Sequence, residues 1–221
     1  MNRLAGLPWR ALCPSDAVRL LAGVDAPWWI AGGWALEMFR GTGTRAHTDL
    51  DVGVLRRDIS TVLERLSGWE IFEAKGGQLT RLASRALPRT DVYALWGRPT
   101  ADDPWSIELM LDEADGDMWV YRRDPRIRRS FATTIRQGVD GICYLAPEVQ
   151  LLYKSRATRE QDDADFAQTW PLLSDDARGW LYRALELVAP RHQWVQSLSA
   201  KDHGKKNGHA VEACPSPLLK N

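Results

Sequence analysis

Apolar positions change period along the chain, and each change predicts an element. Ser15-Asp-Ala-Val-Arg-Leu-Leu-Ala22 has helical spacing, with Ser15 placed as the cap and Gly23 as the stop. Pro27 to Ala31 is a short continuous apolar run, which predicts a buried strand ending at Gly32-Gly33. Helical spacing resumes from Trp34 to Arg40 and stops at Gly41. A polar loop, 41–47, leads into a strand from Asp49 to Leu55. Asp58 then caps a helix from Ile59 to Leu66, whose apolar residues Ile59, Val62, Leu63 and Leu66 share one face. Strands follow at Trp69–Phe72, Gln78–Leu82, Asp91–Trp96 and Trp105–Leu111, with short strands and turns over 118–145. From Pro147 the pattern is helical again: Glu148–Thr158, Asp162–Leu173 and Asp175–Val188, punctuated by Pro171 and Pro190.

This order predicts an α+β fold, a mixed β-sheet with helices on one face, followed by a helical subdomain. The expected division is an α/β part over 1–146, helices over 147–198, and a flexible polar tail over 199–221. No internal repeat interrupts that plan.

Composition narrows the functional classes. Among 221 residues, 29 basic side chains balance 29 acidic ones, so no bulk field draws the chain to nucleic acid or to an anionic membrane. No apolar run reaches the roughly 20 residues of a membrane span, and the N-terminal stretch lacks a secretory apolar core. Cys13, Cys143 and Cys214 have no metal-ligand spacing and read as reduced thiols of a cytoplasmic protein. Of the 11 tryptophans, Trp28, Trp29, Trp34, Trp69 and Trp96 are expected in the core. Trp105, Trp119, Trp170 and Trp180 remain open between core and the wall of an acceptor pocket. The run Arg122-Arg-Asp-Pro-Arg-Ile-Arg-Arg129 reads as a solvated loop neutralised by Asp112, Glu113, Asp115 and Asp117.

The candidate chemistry lies in two adjoining stretches, Trp29-Ile-Ala-Gly-Gly-Trp-Ala-Leu-Glu37 and Arg45-Ala-His-Thr-Asp-Leu-Asp-Val52. Side chains two apart on a strand share a face, so Asp49 and Asp51 are expected side by side. Two carboxylates that close repel unless a cation lies between them, and Mg²⁺ prefers such hard oxygens. The Gly32-Gly33 turn opens a helix, where phosphate oxygens bind well. Metal-assisted phosphoryl chemistry calls for a third acid from a neighbouring strand. Glu108, interrupting the apolar run Trp105–Leu111, is the first choice, because an acid there is costly unless paired; Asp91 is the reserve.

Gly32-Gly33-Trp34-Ala35, Thr44-Arg45-x-His47-x-Asp49-Leu50-Asp51 and the later acid together resemble the nucleotidyltransferase superfamily typified by polymerase beta. More narrowly they resemble the aminoglycoside and lincosamide nucleotidyltransferases, over roughly residues 15 to 195. The resemblance implies a nucleotidyltransferase core holding two Mg²⁺ ions. It also implies attack by an acceptor hydroxyl on the α-phosphorus of ATP or another NTP, with pyrophosphate leaving. It makes Asp49, Asp51 and Glu108 the metal ligands and catalytic acids, Glu108 as ligand, base or both. Gly32 and Gly33 would offer N–H groups to the triphosphate, and the Gly-Gly turn lacks the hydroxyl of the Gly-Ser found in many superfamily members. Arg45 and His47 either steady the loop or touch phosphate. Lys154 falls where the family has a basic residue after a Pro-Glu helix start. The family pattern Arg-x-Lys-Asp-x-x-Asp-Phe is met here as Arg159-Glu-Gln-Asp162-Asp-Ala-Asp165-Phe166, with Gln161 replacing the lysine.

The expected partners are a nucleotide and a small-molecule acceptor, with neither nucleic acid nor membrane. An alternative from another class keeps the fold but makes the chain a toxin–antitoxin or regulatory module that modifies or binds a partner protein.

Overall fold

The computed structural model describes residues 6–10, 12–43 and 46–198. Arg45, the 199–221 segment and Cys214 therefore lie outside the described residues. Ten strands form one mixed sheet in the order β4-β3-β5-β6-β2-β1-β10-β9, with β7 paired to β6 and β8 to β7. The central strands are β1 (Trp28–Ile30), β2 (Asp51–Leu55), β5 (Ala94–Arg98) and β6 (Ile107–Asp115). On one flank lie β3 (Glu70–Lys75) and β4 (Gln78–Arg81). β7 (Met118–Val120), β8 (Arg128–Ser130), β9 (Ile135–Gln137) and β10 (Cys143–Leu145) complete the sheet. β2 runs parallel to β6 and β1 parallel to β10, while the other pairs are antiparallel, as in the mixed α+β sheet that the sequence pattern predicts.

β2 is apolar because it is covered from both sides: Val52, Val54 and Leu55 are buried. Gly53, in register with Trp29 of β1, carries no side chain because a Cβ there would overlap the Trp29 indole. Helix α2 (Gly32–Arg40) begins directly after β1, buries Ala35 and Leu36, and ends at Gly41 in the left-handed conformation. It packs against β2 and against α5 (Pro147–Lys154) and α6 (Glu160–Thr169). One continuous core runs from Ala17 through Leu109 and Leu152 to Leu198, so the later helices share the core of the sheet.

Element boundaries differ from the sequence reading in four informative places. Helix α1 spans Pro14–Leu20 with Cys13, not Ser15, at the cap, and the Asp16 carboxylate accepts from the Cys13 N–H at 2.8 Å. Pro14 explains the shift, since its fixed φ and missing N–H suit the first helical position. Helix α3 (Ile59–Arg65) follows a short 3₁₀ turn, and its Asp58 cap makes no side-chain cap bond. β5 starts at Ala94, three residues after Asp91. Asp49 lies just ahead of β2, which begins at Asp51. The final helix, α7, covers Asp175–Val188 as its spacing predicts, and its Ser174 cap accepts from Ala177. A four-residue α4 (Phe131–Thr134) separates β8 from β9.

Trp105 and Trp119, left open from sequence, are both fully buried. Trp105 belongs to a ring cluster with Trp9, Trp96 and Phe72, at centroid distances of 6.4, 5.6 and 5.4 Å. Among the described residues no helix is long and apolar enough to cross a membrane.

Candidate active site

The site is built where β1 gives way to α2 beside the paired strands β2 and β6. The Ala31 N–H donates to the Asp51 carbonyl at 2.9 Å, which ties the start of α2 to the start of β2. Gly32 follows with φ +63°, a left-handed conformation that glycine adopts without steric cost. A Cβ at Gly32 would overlap the Asp51 carboxylate, so the missing side chain is the space the carboxylate occupies. The Gly32 N–H donates to Gln150 Oε1 at 2.8 Å in a buried bond. The N–H expected to face a triphosphate is thus held here by a side chain of α5. Gly33, one residue further into the helix, lines the cleft.

Asp51 and Glu108 are register partners across the parallel β2–β6 pair, and the Glu108 N–H donates to the Leu50 carbonyl at 2.9 Å. Cross-strand partners present their side chains to the same face. Trp96, the partner of Glu108 on β5, donates its indole N–H to Glu108 Oε2 at 3.1 Å. The ring cluster around Trp105 thereby fixes one oxygen of the third acid. Burial, then the charges of Asp51 and Asp49, pushes the Glu108 carboxyl up to about 8. The structure thus brings Asp49, Asp51 and Glu108 into one electrostatic neighbourhood. Asp91 is elsewhere, in an exposed ion pair with Lys75, so the reserve candidate is set aside.

A cleft of about 570 Å³ opens over Asp49 and Asp51, lined by these two and by Gly32 and Gly33 on one side and by Lys154, Arg159 and Asp162 on the other; Glu108 is not part of its lining. Lys154 is more constrained than a phosphate-reading lysine on a surface helix. Its ammonium is nearly buried and paired with Asp162 at 2.6 Å and Asp165 at 3.1 Å. Asp165 also pairs with Arg40 of α2 at 3.3 Å. Burial raises the Asp162 carboxyl, but hydrogen bonds from Arg159 and Lys154 outweigh it and hold the group at about 2. Arg159 is itself largely exposed; the bond to Asp162 and the fields of Asp49 and Asp51 keep it charged.

The His47 ring is buried, hydrogen-bonded to Glu37 Oε2 at 2.7 Å and stacked on Trp34 at 4.1 Å between centroids, contacts that tie the loop ahead of Asp49 to helix α2.

Several site residues escaped the sequence reading. Arg122 is half-buried and lines the cleft instead of lying in a solvated loop, while Arg123 lines it and stays exposed. Arg122 donates to the Tyr93 carbonyl at 3.0 Å and sits over the rings of Tyr93 and Tyr153; Arg123 donates to the Tyr153 carbonyl at 2.9 Å. Asp112, read as one of the acids neutralising the arginine run, is buried in β6 and accepts from the Tyr153 hydroxyl at 2.6 Å. Burial raises both groups.

Hard carboxylate oxygens of three residues fit a divalent cation in kind, and the elevated Glu108 is the condition such a cation relieves. Among the described residues no three His, Cys, Asp or Glu groups are gathered closely enough to hold a metal as the side chains stand.

Residues 15–168 match the family model described as aminoglycoside-2''-adenylyltransferase. Two curated proteins, each named 2''-aminoglycoside nucleotidyltransferase, from Escherichia coli and Klebsiella pneumoniae, are 33% identical over 75 residues. The match takes in 31% of this chain and spans about two fifths, 42%, of the length of those relatives. A lincomycin-bound crystal structure of the lincosamide antibiotic adenylyltransferase LnuA is similar with a TM-score of 0.50 at 16% identity, covering 72% of this chain and 95% of that one. The crystal structure of ANT(2'')-Ia in complex with adenylyl-2''-tobramycin is similar with a TM-score of 0.52 at 15% identity, covering 80% and 98%. At such identities the solved structures speak to the fold.

Proposed function

The chain belongs to the aminoglycoside-2''-adenylyltransferase family, and from that premise we propose that it transfers a nucleoside monophosphate, AMP from ATP first of all, to a hydroxyl of a small molecule. The names of the relatives put aminoglycosides and lincosamides among the acceptors to be tested. One observation carries the reading: Asp51 and Glu108 are adjacent in register on parallel strands, in the field of Asp49, over a cleft that begins at a helix N-terminus.

Nucleotidyl transfer concentrates negative charge on phosphate oxygens, so electrostatic stabilisation is the main catalytic device. Bound Mg²⁺, in one or two ions, would supply positive charge there, and Asp49, Asp51 and Glu108 are the residues to hold it. The acceptor oxygen forms its bond to the α-phosphorus as the bond to pyrophosphate breaks. Glu108, which a bound cation would favour as the carboxylate, would accept the hydroxyl proton. Arg159, on the opposite wall and facing the acids, is placed to meet phosphate oxygens. Gly33 is the remaining candidate at the turn for a backbone contact. Lys154 acts through Asp162, holding Arg159 in position. The helical part from Pro147 supplies the far wall of the cleft.

The test is pyrophosphate release from each NTP with Mg²⁺ across aminoglycosides, lincosamides and simple sugars. The reading predicts release that requires both the metal and a hydroxyl-bearing acceptor. Absence of release with every pairing counts against it.

A further inference from the structure

Beside the acid-lined cleft lies a larger chamber of about 1220 Å³. The two share part of their walls. Arg122 and Arg123 line both, and Ala94 in the chamber is the cross-strand partner of Met110 in the cleft. A molecule seated in the chamber therefore lies beside the cleft that Asp49 and Asp51 line. The charge of the chamber is one-sided. Its two acids are already matched, Asp91 by Lys75 and Asp124 by Arg126. His192 is held towards its neutral form by burial, and its Nδ1 accepts from the Trp194 N–H. What remains is Arg122, Arg123, Arg156 and Arg191.

None of these four arginines forms an ion pair with a carboxylate among the described residues. Arg122 feels Glu108 and Asp112 only as fields. Arg122 and Arg123 are held by carbonyls and aromatic faces, which fix their direction without neutralising them. In a chain of zero net charge, this is a local concentration of positive charge. Fixed guanidinium groups in a concave site favour phosphate and carboxylate, which they can grip with paired hydrogen bonds. The same field opposes a polyamine, since like charges brought together in a partly dry cavity repel.

We propose that the chamber binds the acceptor, and that this acceptor carries an anionic group, phosphate or carboxylate, beside the hydroxyl that is modified. The inference rests on the transfer reading for the role of the hydroxyl, while the binding preference stands on the chamber itself.

A matched set of hexoses separates the outcomes: glucose, glucosamine, glucuronate and glucose 6-phosphate, with tobramycin as the polycation. Calorimetry of each with the full chain, without nucleotide, tests the chamber; pyrophosphate release from Mg-ATP with each tests the transfer reading separately. The anionic sugars are expected to bind at least about tenfold more tightly than glucose, the worth of one charge-assisted hydrogen bond, and tobramycin more weakly than either. Glucuronate against glucose 6-phosphate decides between carboxylate and phosphate. Arg156→Gln combined with Arg191→Gln should narrow the preference, and adding Arg123→Gln should narrow it further; a preference unchanged in the triple variant would place its origin outside the chamber. The preference should also shrink with added salt. The proposal is overturned if neither anionic sugar outbinds glucose, if tobramycin binds best, or if the anionic sugars compete with ATP, which would make the chamber a nucleotide phosphate site. Binding of an anionic sugar without pyrophosphate release from any member would leave the chamber's preference standing and count against the transfer reading alone.

Discussion

The Asp51 carboxylate fills the space that a side chain on Gly32 would occupy. Gly32 also adopts φ +63° and gives its N–H to Gln150. The glycine is thus required twice over, by conformation and by volume. Gly32→Ala should destabilise the fold by roughly 2 kcal/mol or more, from the left-handed backbone penalty plus the overlap. It should also displace Asp51 and remove transfer activity. A thermal melt read with pyrophosphate release checks both; an alanine variant with the native melting temperature and rate contradicts the assignment.

Glu108 gives the folded protein a signature in pH. An ordinary glutamate loses its proton near 4.5, whereas the folded environment defers this to about 8. The folded state therefore holds the proton more tightly than the unfolded one. Stability of the metal-free protein should fall as pH rises from about 4.5 to about 8. Mg²⁺ should reverse the trend by favouring the carboxylate, and chelation should restore it. Denaturant midpoints at pH 5 and pH 8, with and without Mg²⁺, report the effect. Glu108→Gln should flatten the slope; an unchanged slope in that variant would place its origin elsewhere.

The Lys154 ammonium is shared by two buried carboxylates, Asp162 and Asp165. Removing it leaves their charges without that partner, and breaking a buried pair costs about 3–5 kcal/mol. Lys154→Met should accordingly lower the denaturant midpoint far more than a surface lysine change. Asp162, whose folded value is about 2 against an ordinary 3.8, contributes stability that is present above pH 4 and lost as pH falls through 2. Acid unfolding of the wild type against Asp162→Asn measures that contribution.

His47 separates loop positioning from phosphate binding. Because its ring contacts Glu37 and Trp34, His47→Ala should lower kcat through a loosened Asp49 while leaving the KM for nucleotide near the native value. A rise in nucleotide KM with kcat unchanged would indicate direct contact with phosphate.

Much of this site was legible in the sequence because its signals are local. Asp49 and Asp51 stand two residues apart, the glycines stand at a strand-to-helix turn, and Glu108 is an acid in an apolar run. The parallel pairing that sets Glu108 beside Asp51 is a property of the sheet order, which no local period encodes. The roles of Gly32, His47 and Lys154 were not legible in that way. Each depends on a partner whose spatial position no local period encodes: Gln150, separated from Gly32 by 118 positions; Glu37, on the preceding helix; and Asp165, which also bonds Arg40. Counting neighbouring acids holds for Arg128, which pairs with Asp115, but not for Arg122, which a carbonyl and two tyrosine rings hold at the cleft. The shift of α1 to Pro14 was readable from the proline itself.

Nearly all of the reading rests on Asp51 belonging to the reacting centre. The most direct measurement is pyrophosphate release by Asp51→Asn, alongside its melting temperature and its Mg²⁺-dependent melting shift. Asparagine keeps the shape of the side chain and removes its charge, so the fold should persist while release and the Mg²⁺ shift disappear. An Asp51→Asn protein that folds and still releases pyrophosphate at the native rate would contradict the account.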